Sequence, residues 1–265
     1  MAEQRFVDIH CHLLPGIDDG AQDWSESLAM AEMAVADGIQ TIICTPHQLG
    51  NYRDNTAANV RTLVQQLDAL LREHQIPLNV LPGADVRIEA DLSAQLQSDH
   101  VLTLGDRRRH VLLELPHELY VPLDPIVDAL RRQGLQSILS HPERNLGILR
   151  QPAILKPLVN AGCLMQVTAG SLLGTFGPPI QQFSQTILEE GLCHFLASDA
   201  HGATARRPRM RAAYQRASEL VGADYAQRIC CENPSRVARG ALVSEGIQNA
   251  KKRGIRGWLG IRKAG

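Results

Sequence analysis

At 265 residues with 44% hydrophobic content, the chain is long enough to bury one large core, and no apolar run approaches the ~20 residues that cross a membrane. The net charge of −1 divides into an acidic body and a basic tail, and an acidic body is a poor nucleic-acid binder. Six cysteines without the spacing of a disulfide framework, in a chain without a signal-peptide core, lead us to expect a reduced, cytoplasmic protein.

Apolar, strand-like runs alternate with amphipathic helical stretches along the chain. Strands are predicted near 5–11, 39–45, 78–82, 110–115, 136–140, 163–168 and 193–197. A capping box at residues 23–26 opens a helix through Ala36, and further helices are predicted over 55–73, 124–133, 152–161, 179–190 and 209–221. Because seven such units follow one another without a linker, the pattern predicts one α/β domain with a parallel sheet closed, or nearly closed, into a barrel.

Histidine and carboxylate side chains stand where these predicted strands end. His10 and His12 share one face of the first strand, and Asp199 and His201 repeat the same spacing after the last one. Similar positions are held by His47, Glu114 and His141, with Asp19 and Asp85 in loops. Barrel active sites lie at the carboxyl ends of the strands, so these side chains are expected to converge on divalent metal ions. The alternative is that each histidine caps a strand or hydrogen-bonds a loop.

Seven motifs carry a resemblance to a known superfamily. They are Asp8-x-His10-x-His12, Asp18-Asp19-Gly20, Thr45-x-His47, Gly83-Ala84-Asp85, Glu114, His141-x-Glu143-Arg144 and Ser198-Asp199-x-His201. The set resembles the polymerase and histidinol phosphatase (PHP) superfamily. Within that superfamily it is most similar to the bacterial manganese-dependent protein tyrosine phosphatases of capsule and exopolysaccharide operons. The resemblance runs from residue 6 to about residue 240.

The resemblance implies a distorted (β/α)7 barrel of TIM-barrel-like PHP fold that holds three divalent metal ions. The implied metal is manganese, with iron or zinc as alternatives. The implied ligands are His10, His12, Asp19, His47, Asp85, Glu114, His141, Asp199 and His201. The sequence departs from the family pattern at Asp85, where relatives carry a glutamate that is longer by one methylene. The shorter side chain implies either that the backbone lies closer to the metal positions here or that the metal cluster is altered.

Arg144 and Arg207 are the arginines that the resemblance places near the phosphate. A planar guanidinium can neutralise non-bridging phosphoryl oxygens as their charge grows in the transition state. The alternative for Arg144 is a surface salt bridge with Glu143. Arg207 stands in an arginine-rich run, and Arg206 is an alternative for its role.

A second phosphatase motif is present formally, because Cys230 and Arg236 satisfy the Cys-x5-Arg pattern of phosphatases with a thiolate nucleophile. Such a loop cradles phosphate with backbone amides. Here Pro234 removes one donor and Glu232 adds a repelling charge. We therefore expect this segment to be a strand or helix end, with residues 233–234 opening the last helix.

The predicted function is hydrolysis of phosphotyrosine by a metal-dependent protein tyrosine phosphatase. The implied substrate is the phosphorylated tail of a bacterial tyrosine kinase that controls capsular or exopolysaccharide biosynthesis. Two alternatives remain: a small-molecule phosphatase of the histidinol-phosphate type, and a non-catalytic regulator that binds the same kinase. Nucleic acid is not an expected partner.

The domain prediction assigns residues 1–249 to the metal-dependent phosphohydrolase and 250–265 to a basic tail. Residues 251–265 carry six basic side chains and no acidic one, which leaves 21 basic and 28 acidic side chains in the rest of the chain. Gly254, Gly257 and Gly260 weaken any helix in the tail, so a solvated end is expected. The alternative is contact of the tail with an anionic membrane surface or an acidic partner.

Overall fold

Parallel strands covered by helices make up the computed structural model, which describes residues 5–248. The strands are β1 (Phe6–Cys11), β2 (Ile39–Cys44), β3 (His47–Gln48), β4 (Asn79–Pro82), β5 (Asp85–Arg87), β6 (His110–Glu114), β7 (Gln136–Ser140), β8 (Leu164–Thr168) and β9 (Phe195–Ala197). All seven predicted strands are confirmed, and β3 and β5 are additional.

The helices alternate with these strands. They are α1 (Trp24–Asp37), α2 (Ala57–Glu73), α3 (Leu92–Gln97), α4 (Asp124–Arg132), α5 (Leu146–Arg150), α6 (Leu155–Asn160), α7 (Ala169–Leu172), α8 (Pro178–Glu189), α9 (Arg211–Val221), α10 (Ala223–Gln227) and α11 (Asn233–Ala238). The N-cap half of the predicted capping box is present, since the Asp23 side chain accepts a hydrogen bond from the Glu26 N–H. The Glu26 carboxylate accepts the N–H groups of Gln22 and Ala203 and not that of Asp23, so the second half of the box is not formed among the described residues. The helix predicted over 152–161 is divided into a 3-10 turn, Pro152–Ile154, and α6.

The strands form two parallel sheets, in the orders β1-β2-β4 and β3-β5-β6-β7-β8-β9. Two strands pass from one sheet into the other, because β2 leads into β3 and β4 leads into β5 after two residues each. Between β2 and β3, Pro46 interrupts the strand because proline has no N–H to donate to a neighbouring strand. Between β4 and β5, a Cβ on Gly83 would lie 2.6 Å from Cγ2 of Ile43, so only glycine fits.

The first and last strands meet just beyond their carboxyl ends. The Asp199 N–H donates to the His10 carbonyl at 2.8 Å, and the His12 N–H donates to the Ala200 carbonyl at 2.9 Å. Asp8 also accepts hydrogen bonds from the backbone and side chain of Ser198. These bonds bring the carboxyl end of β1 beside that of β9.

Both faces of the strands are apolar, as expected for parallel sheets covered on both sides. One buried cluster contains Ile9, Ile43, Leu112, Ile138, Leu164 and Phe195, which come from six different strands. Leu112, Ile138 and Leu164 are register partners across β6, β7 and β8. A larger cluster packs the opposite faces of the strands against the helices. The strands are therefore fixed on both sides, which positions the residues at their ends.

All six cysteines are buried and free of disulfide bonds. Cys230 and Cys231 lie in a π-helical segment, Arg228–Glu232, that leads directly into α11. The expectation of a helix end followed by a last helix is confirmed.

Two buried histidines that lie outside the candidate site make folding stability depend on pH. Burial lowers the pKa of His110 and of His194 to about 4 in each case. The unfolded chain therefore binds more protons than the folded chain between pH 6.5 and 4, and the free energy of unfolding falls as pH falls through this window.

His194 accepts a hydrogen bond from the Met165 N–H at 3.1 Å, and its Nε2 lies 3.0 Å from the Gly246 carbonyl. We expect His194→Asn to reduce the loss of unfolding free energy between pH 7 and pH 5, measured by chemical denaturation. His74→Asn, at an exposed helix end, is the matched control. An unchanged pH slope in His194→Asn would show that His194 is not one of the responsible groups.

No helix within residues 5–248 combines the length and apolar character needed to cross a bilayer. The predicted basic tail, 250–265, lies outside the described residues.

Candidate metal centre

The nine predicted ligands lie together at the carboxyl edge of the sheets. Their ligand atoms fall into four overlapping groups, each with all its atoms within 4.8 Å of one another. The groups are His12, Asp19, His47 and His201; His10, His12 and Asp85; His10, His141 and Asp199; and His47, Asp85 and Glu114. Five imidazoles and four carboxylates in so small a volume suit several divalent cations.

The surroundings of Asp85 show whether a cation would fit among these side chains. The residue is fully buried, and neither of its carboxylate oxygens has a hydrogen-bond partner among the described residues. Its Oδ2 lies 3.5 Å from His10 Nε2, 3.6 Å from His47 Nδ1 and 3.8 Å from His141 Nε2. A buried carboxylate left without a donor is costly, and a cation bound among these imidazoles would relieve the cost.

The pKa values of the two neighbouring carboxylates also indicate crowded negative charge. Burial opposes ionisation of Asp85, but the imidazoles, His10 first, hold the pKa of Asp85 below its usual range. Burial, followed by the charge of Asp85, raises the pKa of Glu114 to about 7. Two carboxylates that compete for ionisation are typical of a site that binds a cation.

Two side chains fix the orientation of His10, on β1, and of His12, just after its end. His10 Nδ1 lies 2.8 Å from Oε1 of Gln166, and His12 Nδ1 lies 2.7 Å from Oδ2 of Asp18. Since both oxygens are acceptors, each Nδ1 carries the proton and each Nε2 keeps its lone pair for a metal. Burial, with the nearby His201, lowers the pKa of His12 to about 3, so its ring is neutral and able to bind.

Neither partner of these histidines was assigned a role from the sequence. One feature of the sequence could have identified Gln166: it is a polar residue inside a strand that is buried and mainly apolar. Asp18 belongs to a quoted motif, yet only the structure shows that it also accepts the His47 N–H at 3.0 Å.

The loop after β1 carries Asp19, whose Oδ1 lies 3.4 Å from Nε2 of both His47 and His201. Gly20 lets this loop pass close to β1. A Cβ there would lie 2.4 Å from the His12 carbonyl oxygen and 2.5 Å from the His12 Cβ. The glycine of the Asp18-Asp19-Gly20 motif is therefore required by close packing against a candidate ligand.

Arg144 and Arg206 both donate to Oδ2 of Asp199, Arg206 at 2.6 Å. Oδ1 of Asp199 faces the histidines, at 3.3 Å from His10 Nε2 and 3.5 Å from His201 Nδ1. One carboxylate thus joins the candidate ligands to two guanidinium groups.

Arg144 and Glu143, both among the described residues, do not form the surface salt bridge that the sequence left open as an alternative. Glu143 is fully buried and its Oε1 accepts a hydrogen bond from the Thr168 N–H at 2.9 Å. Arg144 is therefore directed to Asp199.

Arg207 lies further from the ligands than its neighbour. Its Nε donates to the Thr204 carbonyl at 3.0 Å, and its side chain is exposed. The structure thus brings Arg206, the alternative named from the sequence, to Asp199, and it places Arg207 at the rim. The role at the phosphate predicted for Arg207 is not tested by these contacts. The kinetics of Arg207→Gln, described below, distinguish that role from one at the rim.

Three non-glycine residues of this region have positive φ angles: His141 at 31°, Asp199 at 50° and Arg206 at 41°. Such conformations cost ~1–3 kcal/mol each and persist where surrounding contacts enforce them. At Asp199 and Arg206, the Asp199 N–H bond to β1 and the arginine contacts with the Asp199 carboxylate are contacts of this kind.

A cavity of about 550 Å³ adjoins Asp199 on the side of β8 and β9. Phe176 forms part of its wall, with the ring centroid 4.7 Å from Cζ of Arg144 and 5.9 Å from Cζ of Arg206. On another side of the cluster, the Tyr52 ring stacks on His47 at 5.2 Å. The candidate ligands are therefore flanked by aromatic rings and by two arginines.

Comparison with known proteins gives consistent matches. A family model described as capsular polysaccharide synthesis, CpsB/CapC, matches residues 6–239. The tyrosine-protein phosphatase YwqE of Bacillus subtilis (strain 168) is 41% identical over 202 residues, which cover 76% of this chain and 79% of YwqE. The tyrosine-protein phosphatase CpsB of Streptococcus pneumoniae is 23% identical over 242 residues, covering 89% of this chain and 100% of CpsB.

The fold is similar as well. A crystal structure from work on YwqE and CpsB, described there as unique metal-dependent tyrosine phosphatases, matches with a TM-score of 0.88 and 35% sequence identity. The match covers 93% of this chain and 100% of the other. The family match over residues 6–239 includes all nine candidate ligands.

Proposed function

Because the chain belongs to the CpsB/CapC family of capsular polysaccharide synthesis proteins, we propose that it is a metal-dependent protein tyrosine phosphatase. The resemblance to the PHP superfamily and its tyrosine phosphatases is confirmed by the family match and by the similarity to YwqE. The observation that carries the proposal is the convergence of five imidazoles and four carboxylates beside two arginines that share Asp199.

We further propose that the two sheets belong to one distorted (β/α)7 barrel. The continuation of β2 into β3 and of β4 into β5 leaves seven strand positions. The hydrogen bonds between the ends of β1 and β9 support closure.

The nine candidate ligands are proposed to hold three divalent ions, manganese by preference, with iron or zinc as alternatives. Bound there, such ions would supply a water of near-neutral pKa as the nucleophile and positive charge for the attacking and leaving oxygens. The protein orients its imidazoles for this task through Gln166 and Asp18.

Arg144 and Arg206 are proposed to neutralise the non-bridging oxygens of the phosphoryl group. Each guanidinium has N–H donors beyond the one that Asp199 accepts, and these are in place before the reaction begins. Phe176, held beside both arginines, offers an apolar wall for the phenyl ring of phosphotyrosine.

The proposed physiological substrate is the phosphorylated tail of a bacterial tyrosine kinase in capsular or exopolysaccharide biosynthesis. An exposed rim, with Thr204 and Arg207 at the cavity beside the ligands, suits a protein tail better than a small metabolite. The complete set of candidate ligands favours an enzyme over a regulator that only binds the kinase.

Changing Asp85 tests its proposed role as a metal ligand. We expect Asp85→Glu to bind at least as much manganese as the parent, because the longer carboxylate restores the reach that the family pattern provides. Asp85→Ala should lose part of its metal, since it removes a buried anion that contacts three histidines. Elemental analysis of purified protein measures both. Unchanged stoichiometry in both variants would remove Asp85 from the site.

A further inference from the structure

The cavity beside Asp199 has two walls of different character. On one side it is lined by the segment around α7, including Leu173 and Phe176. On the other side it is lined by the segment that follows Asp199 and contains three arginines, Arg206, Arg207 and Arg209. It begins at the candidate metal centre, because Asp199 itself lines it.

The charge of this cavity is positive although the body of the protein is acidic. Asp199 is the only carboxylate among the described lining residues, and Arg144 and Arg206 already bind it. Arg207 and Arg209 are exposed, and within residues 5–248 neither forms an ion pair with a carboxylate. Two guanidinium groups are thus available to an anion that enters from solvent.

A bound phosphotyrosine would bring its neighbouring residues to this wall. With the phosphoryl group at Arg144 and Arg206, the length of the tyrosine side chain holds the peptide backbone at the exposed rim. An extended peptide advances ~3.3 Å per residue, so side chains one to three residues away fall beside the arginine-lined wall. The group that a guanidinium fork recognises best on a peptide is a carboxylate.

We propose that Arg207 and Arg209 form a subsite for acidic side chains that flank the phosphotyrosine of the substrate, an inference that rests on the phosphatase function proposed above. The subsite selects among phosphotyrosine sequences and leaves the chemistry to the metal ligands and to Arg144 and Arg206. It acts on KM, because an exposed charge pair contributes to binding before and during the reaction alike.

The test compares three phosphotyrosine peptides of equal length on the full-length, manganese-loaded protein. One has neutral flanks, one has glutamates at the three preceding positions, and one has glutamates at the three following positions. We expect kcat/KM for one of the acidic peptides to exceed that for the neutral peptide by about three- to tenfold at low salt, through KM. The preference should approach unity in 1 M salt, where the Debye length is about 3 Å.

Arginine variants test whether the preference for acidic peptides comes from Arg207 and Arg209. Arg207→Gln and Arg209→Gln should each reduce the acidic preference, and the double variant should remove it. Arg211→Gln is the matched control, because Arg211 is exposed nearby but does not line the cavity, and it should keep the preference.

Three results would overturn the inference: equal kcat/KM for all three peptides, an acidic preference that survives in the double variant, or a loss of kcat on the neutral peptide in Arg207→Gln. The last result would place Arg207 at the phosphoryl group. Failure of the parent protein to hydrolyse any of the peptides would instead contradict the phosphatase function itself.

Discussion

Replacing Arg144 with lysine should lower kcat for phosphotyrosine hydrolysis about a hundred- to a thousandfold, while metal content and melting temperature stay near those of the parent. Loss of one preorganised charge-assisted donor from a catalytic site typically costs ~2.7–4 kcal/mol of transition-state stabilisation. Lysine recovers little of this, because an ammonium cannot make the planar, paired contact that a guanidinium makes. Arg206 continues to bind Asp199 in the variant, which keeps that candidate ligand in place.

Arg150→Lys is the matched control for this experiment, since Arg150 is exposed at the end of α5. A fall in kcat of less than about fivefold in Arg144→Lys, equivalent to ~1 kcal/mol, would show that Arg144 is a bystander. Loss of metal or early melting would show that it has a structural role through Asp199.

Removing the metal should abolish hydrolysis of an aryl phosphate, and Cys230→Ser should leave hydrolysis nearly intact. The first expectation follows from the clustered candidate ligands and from the unpartnered oxygens of Asp85. The second follows because Cys230 is fully buried, and burial raises the pKa of its thiol well above the usual value. A thiol that stays protonated and is enclosed by the core is not a nucleophile.

The measurement is turnover of the aryl phosphate before chelation, after chelation and after manganese is restored. Recovery of activity on restoring the metal distinguishes loss of a cofactor from unfolding. A Cys230→Ser variant that is folded and metal-loaded but inactive would contradict the metal-dependent mechanism.

The sequence predicted the strands well because both of their faces are buried, which makes each strand a continuous apolar run between polar segments. β3 and β5 were missed, since each is only two or three residues long and follows a break at Pro46 or Gly83. The break hides the continuation of the strand, although the continuation is what brings His47 and Asp85 to the site.

The candidate ligands were predictable for a related reason. In a parallel sheet the strand ends meet at one edge, so a polar residue that ends an apolar run is placed by topology alone. Gln166 lies within such a run, and its contact with His10 depends on which face of β8 turns inward.

The arginines show where sequence reasoning stops. Arg206 and Arg207 are neighbours, and the choice between them depends on the positive φ of Arg206 and on the turn after Asp199. The turn after Asp199 is held by hydrogen bonds of Asp199 and Ala200 to His10 and His12, far away in the sequence, and the Arg206 carbonyl accepts the His201 N–H at 2.9 Å. For that reason the sequence left the two as alternatives, and the structure directs only Arg206 to Asp199.

The most direct test of the proposed function is a comparison of kcat/KM for a phosphotyrosine peptide, the matched phosphoserine peptide and histidinol phosphate, all with manganese supplied. We expect phosphotyrosine to exceed each of the other two by about tenfold or more, because only its phenyl ring can pack against Phe176 while the phosphoryl group reaches Arg144 and Arg206. A higher kcat/KM for histidinol phosphate, or no turnover of any substrate by the metal-loaded protein, would contradict the assignment as a protein tyrosine phosphatase.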